Sequence, residues 1–139
     1  MNVYTESINL KTNGHCDVID ITGEVQQIVS ESDINSGNIT IFIPGSTAGI
    51  TTIEFESGAI NDLREAFNRL VPQDINYAHN MRWGDGNGHS HIRASILGTS
   101  LTVPFTSKKL LLGTWQQIIF VDFDNRSRNR EIILQLIGE

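Results

Sequence analysis

A chain of 139 residues and 15.5 kDa is the size of one domain. Surface scaling takes it from roughly 22,500 Å² extended to roughly 7,200 Å² folded, enough burial for a core without disulfides or a structural metal. Hydrophobic residues at 39% and charged residues at 19% exclude a disordered tail, and ten basic against sixteen acidic side chains (net −6) argue against general nucleic-acid binding.

Apolar runs such as Leu110 to Leu112 are too short to span a bilayer. The start, Met1-Asn2-Val3-Tyr4, lacks the basic and apolar regions of a signal peptide, and Cys16 has no partner for an internal disulfide. A cytoplasmic protein that meets neither nucleic acid nor membrane is expected.

In chain order, Val3 to Leu10 alternates as a strand does. Asp20 to Ser32 carries Ile21, Val25, Ile28 and Val29 at helical spacing. Asn38 to Ile43 suits a buried strand stopped by Pro44-Gly45, and the threonine-rich, β-branched Ile50 to Phe55 another. A second helix is predicted from about Ala59 to Leu70, with Ile60, Leu63, Phe67 and Leu70 on one side and Pro72 closing it. Gln73 to Gly88 reads as a polar loop. Four β-like stretches follow: His91 to Leu97, Ser100 to Phe105, Gln117 to Asp122 and Arg130 to Ile137. The expected fold is a single α+β domain over residues 1–139, a mostly antiparallel β-sandwich with two main helices.

The stretch from Tyr77 to Arg93 holds three of the four histidines. On extended backbone His89 and His91 would point to one side, roughly 6–7 Å apart. His79, across a glycine-rich turn, could close a three-nitrogen site for a cation such as zinc, with Asp85 as further ligand or orienting acceptor. The same residues also suit a solvated hairpin, or a metal-free acid–base or phosphate-binding role. Asp85-Gly86-Asn87-Gly88 begins like a calcium loop but lacks its later ligands.

Pro44-Gly45-Ser46-Thr47-Ala48-Gly49 can expose backbone N–H groups to an anion. It has no Walker lysine and precedes a strand, so neither a nucleotide-hydrolase loop nor a nucleophile elbow fits; a plain tight turn does. Arg126, Arg128 and Arg130 alternate after Asp122 and Asp124, suiting either an anion or a ladder paired with those aspartates. Cys16 reads as a buried thiol, and Trp115 and Gln116 as core or interface residues.

Taken together, these landmarks resemble the YjbQ-like family, whose members are associated with secondary thiamine-phosphate synthase activity. The resemblance runs through Ser46-Thr47-Ala48-Gly49 with Ile50 and Glu54, then Tyr77-Ala78-His79, Gly84-Asp85-Gly86-Asn87 and Ser90-His91. It continues through Leu97 to Leu101, Val103-Pro104, Leu112 to Gln116 and the terminal Gly138-Glu139. Many members have histidine where Gly45 stands here, and asparagine where Ile53 stands.

The resemblance implies a homotrimer and a weak transfer of a pyrimidine diphosphate onto a thiazole phosphate, with release of pyrophosphate. The expected catalytic groups are then Glu54, Asp85 and His91. Ser46, Thr47 and Asn87 would contact the ligand. From the residues themselves, Arg93 is added as a source of positive charge and His79, His89 and His91 as ligands for a divalent metal, zinc or magnesium, although His89 stands where other members can have a non-ligand residue. The alternative is a metal-dependent protein that binds a small phosphorylated metabolite without thiamine chemistry.

Overall fold

Ile118-Ile119-Phe120-Val121 has no polar alternation, the pattern of a strand buried on both faces. In the computed structural model, which describes every residue from Met1 to Glu139, this run lies in β7 (Gln117–Asp122). It is the centre of a three-stranded antiparallel sheet, flanked by β2 (Asp17–Asp20) and β4 (Ala48–Ile53).

Ile118 and Phe120 enter a core shared with a five-stranded antiparallel sheet. Its strands, in spatial order, are β1 (Asn2–Thr12), β8 (Arg128–Gly138), β3 (Gly37–Phe42), β5 (Ser100–Thr106) and β6 (Lys109–Leu110). β1 and β8 pair along their whole length, from Asn2 opposite Gly138 to Thr12 opposite Arg128. Val25, Ile28 and Val29 of α1 (Thr22–Glu31) join the same core.

The other face of β7, with Ile119 and Val121, packs with Phe123 against α2 (Ser57–Leu70) and α4 (Gly88–Leu97), which supply Ile60, Phe67 and Ala94. A short helix, α3 (Ala78–Trp83), precedes α4. Glu56 caps α2 by accepting from the N–H groups of Gly58 and Ala59, satisfying donors that the first helical turn leaves free. α4 lies directly on β4 because Gly49 has no side chain: a Cβ there would stand 2.7 Å from the Gly98 carbonyl oxygen and 2.8 Å from Leu97 Cδ2.

The accessible surface is 7652 Å², close to the value expected from mass. The α+β antiparallel architecture and both main helices are as expected. Three expectations are corrected. His91 to Leu97 is helix, not strand. The polar loop Gln73 to Gly88 contains α3. Of the two readings of Trp115, core or interface, the core one is overturned: the residue is 73% exposed. No helix is long and apolar enough to cross a membrane.

Candidate functional site

The helical state of α4 rearranges the histidine cluster. Two positions on an α-helix are turned roughly 200° apart, so His89 and His91 face opposite ways. The expectation that both join His79 from one side of a strand is therefore corrected.

His91 meets His79 across the junction of α3 and α4, with ring centroids 4.3 Å apart and planes tilted by 43°. His79 Nδ1 stands 3.4 Å from Asp85 Oδ1, is shut off from solvent and has no closer partner. The carboxylate stands beside one imidazole of the pair without a formed hydrogen bond to it.

Two features fix this junction. α3 ends at Gly84, whose left-handed backbone (φ 67°) reverses the chain toward Asp85. The N–H of Gly88 donates to Asn80 Oδ1 at 2.8 Å, and a Cβ on Gly88 would stand 2.5 Å from Tyr77 Cβ, so only glycine lets the two helices close.

His89 instead enters the interior at 2% exposure, with Nδ1 unpartnered and Nε2 3.4 Å from Ser90 Oγ. Burial first, then the charges of Arg93 and His15, pulls its pKa below the usual 6.5. Arg93, expected as a source of positive charge, is also buried. Its Nε donates to the Val71 carbonyl at 3.0 Å and its Nη2 to Asn68 Oδ1 at 3.3 Å, and its guanidinium lies 5.9 Å from the centre of the Phe67 ring. It ties α4 to the end of α2 and is not turned toward the histidine pair.

A second polar cluster lies where β7 leaves its sheet. Asp122, fully buried, accepts from Thr12 Oγ1 at 2.6 Å and from Arg130 Nε and Nη2 at 2.8 and 2.9 Å. Arg130 Nη2 also donates to Thr47 Oγ1 at 2.7 Å, and Thr47 Oγ1 donates to Asp124 Oδ2 at 2.9 Å. Arg128 Nε donates to the same Asp124 oxygen at 3.1 Å. Burial alone would raise the pKa of Asp124, but the bonds from Thr47 and Arg128, the Arg128 charge and Asn87 together hold it below 3.8. The arginine–aspartate ladder is therefore formed by Arg128 and Arg130; Arg126 lies before β8 and is exposed.

The two clusters are bridged. Asn87 Oδ1 accepts from Ser90 Oγ and from the Asn125 N–H, and Asn125 Nδ2 donates to the Asp85 carbonyl at 2.8 Å. Asn87, expected to touch a ligand, is buried in this bridge. Ser46 is exposed beside buried Thr47, and Glu54 is exposed just beyond β4 with no side-chain hydrogen bond inside the protein. Sequence reasoning missed Thr12 altogether, because its partner Asp122 lies 110 residues away.

No three His, Cys, Asp or Glu side chains form a group arranged to hold a metal ion. What does converge is a pair of imidazoles with a carboxylate beside one of them, donor types that zinc accepts, short of a three-ligand group.

Residues 6–139 match the family described as "UPF0047 protein YjbQ-like". A UPF0047 protein of Methanothermobacter thermautotrophicus is 38% identical over 139 residues, covering 100% of this chain and 95% of the relative. The UPF0047 protein YugU of Bacillus subtilis is 33% identical, covering 96% and 98%. Among solved structures, a YbjQ-like protein of unknown function from Sulfolobus solfataricus superposes with a TM-score of 0.94 at 34% identity, covering 99% of both chains. Sequence and backbone agree over essentially the whole length: the chain belongs to the UPF0047 YjbQ-like family.

Proposed function

We propose that this protein binds a small phosphorylated metabolite at the His79–His91 pair, whose imidazoles would hold a divalent ion, zinc or magnesium. The observation that carries this reading is the convergence of the two rings at 4.3 Å beside the Asp85 carboxylate. His79 and His91 bind, and Asp85 stands beside His79. A bound divalent ion would supply positive charge against the phosphate. His89 and Arg93 act from behind, holding α4 in place.

The reaction that best suits such a site, and that the family resemblance favours, joins a pyrimidine diphosphate to a thiazole phosphate. The methylene C–O bond breaks and its electron pair leaves on pyrophosphate, while the thiazole nitrogen lone pair forms the new C–N bond. No proton is gained or lost, so the protein's task is positioning and stabilising the departing charge. Glu54, exposed just beyond β4, is proposed as a polar contact for the pyrimidine.

We further propose a homotrimer. Supporting it, the outer face of the five-stranded sheet carries Thr5, Gln135, Thr40 and Thr102 in register across four strands, without a charge among them. Light scattering giving a stable 15.5 kDa monomer at micromolar concentration would remove this assembly.

The function is tested by titrating zinc and then thiazole phosphate into the metal-free protein in a calorimeter, with pyrophosphate release followed once the pyrimidine diphosphate is added. Zinc-dependent binding of thiazole phosphate is expected. Binding without turnover would keep the metabolite-binding reading and remove thiamine chemistry.

A further inference from the structure

The ladder formed by Asp122, Asp124, Arg128 and Arg130 looks self-contained, yet one edge of it is open. A guanidinium has five N–H donors. Arg130 uses Nε and both donors of Nη2, on Asp122 and Thr47. Nη1 donates to no acceptor in the protein and is not sealed from solvent, although the side chain as a whole is only 12% exposed.

What lies in front of Nη1 is Gly45. A Cβ built there would stand 3.3 Å from Nη1, with only Ile43 Cγ1 otherwise near, at 3.8 Å. A side chain at position 45 would crowd Nη1. The turn itself adds donors. The backbone N–H groups of Ser46 and Thr47 reach no acceptor within the chain, while that of Gly45 is bonded to the Ile43 carbonyl. The Ser46 hydroxyl is exposed beside them.

We propose that the Gly45-Ser46-Thr47 turn and Arg130 Nη1 form an oxyanion site for a phosphate or diphosphate group, gated by the missing side chain of Gly45. This deepens the phosphorylated-metabolite reading: it names the residues that hold the anionic end, while His79 and His91 hold another part of the ligand. The ladder beneath sums to zero formal charge, two aspartates against two arginines. Attraction at the opening is therefore directional, through hydrogen bonds to a charged acceptor, more than a field effect. The guanidinium is already fixed by Asp122 and Thr47, so little side-chain entropy is lost when an oxyanion arrives.

The test uses inorganic pyrophosphate on the intact protein in buffer containing EDTA, so that no metal contributes. Amide NMR and calorimetry should show binding at millimolar concentration or below, with the largest shifts at the Ser46 and Thr47 N–H groups. Gly45→Leu, which covers Nη1 from an exposed turn, should weaken that binding by about tenfold or more, the scale of losing hydrogen bonds to a charged group. Gly45→Glu should abolish it and raise the melting temperature, because its carboxylate occupies the opening from within.

Absence of pyrophosphate binding to the wild-type protein, or equal affinity in Gly45→Leu, overturns the proposal. Its failure is distinguishable from failure of the metal-dependent reading. If zinc leaves metabolite binding unchanged while pyrophosphate still needs Gly45, the histidine site is wrong and the oxyanion site stands.

Discussion

The ladder around Asp122 and the pair of His79 and His91 are both polar, yet they are built in opposite ways. In the ladder, every oxygen of Asp122 is satisfied and the carboxylate is fully buried. In the histidine pair, two half-buried rings meet at the junction of two short helices. The satisfied Asp122 carboxylate holds the fold, because a ligand there would have to break bonds already made; the ladder's unpaired groups, Arg130 Nη1 and the buried Asp124 Oδ1, lie at its margins. A pair with spare nitrogens can exchange water for ligand at little structural cost. The difference separates scaffold from site, and each prediction below presses on it.

The largest effect is expected at the scaffold. Asp122→Ala leaves Arg130 only 12% exposed with its main partner gone and Thr12 Oγ1 without its short bond. Breaking a buried pair by removing one member costs about 3–5 kcal/mol. Urea unfolding should show a loss of that order; a change below 1 kcal/mol would mean that the ladder does not brace β7 against β8.

Next comes the seat of α4. Gly49→Val puts a branched side chain into the Gly98 carbonyl and Leu97, 2.7 and 2.8 Å from where its Cβ must lie. Overpacking of this kind costs about 1–3 kcal/mol. Because α4 carries His91, zinc affinity should fall together with melting temperature. Affinity kept at wild-type level in a destabilised Gly49→Val protein would separate the helix seat from the site.

A smaller effect is expected from acid. Asp124 titrates below its unfolded value of 3.8 in the native protein. A group whose pKa is depressed on folding stabilises the fold above its unfolded pKa, and that contribution disappears as pH falls through the folded value. The wild type should therefore lose stability relative to Asp124→Asn as pH drops below about 4. Parallel stability–pH curves for the two proteins would show that Asp124 contributes no linked proton.

The sequence disclosed these regions unequally. α2 was legible because Ile60, Leu63 and Phe67 repeat with helical spacing and Pro72 stops them. β7 was legible because its residues are apolar without interruption. α4 was not, for a physical reason: its buried face includes His89, Ser90 and Arg93 as well as Ala94. Helical periodicity is present there, at positions 89, 90, 93, 94 and 97, but it is written in polar residues that a hydrophobicity reading counts as exposed. Misreading that helix turned His89 the wrong way. The ladder was half legible: alternating arginines and aspartates suggested pairing, but nothing local could show that Thr12 and Thr47 complete it from distant strands.

The last prediction sets His91 against His89, where the expected change in stability is smallest and the functional contrast greatest. His91→Ala removes a half-buried ring whose packing partner is the other half-buried histidine, so unfolding free energy should shift by no more than about 0.5 kcal/mol. Zinc binding should nevertheless be lost, because His79 would be the one imidazole left to hold the ion. His89→Ala should do the reverse. It empties an interior position at 2% exposure, so melting temperature should fall, while zinc affinity drops by about 10–100-fold at most, as for residues that support a ligand without touching it. Calorimetry with zinc and thermal unfolding on the two proteins give four numbers. If His91→Ala binds zinc as the wild type does, the half-buried pair is only a packing contact, and the distinction drawn between scaffold and site fails at its second member.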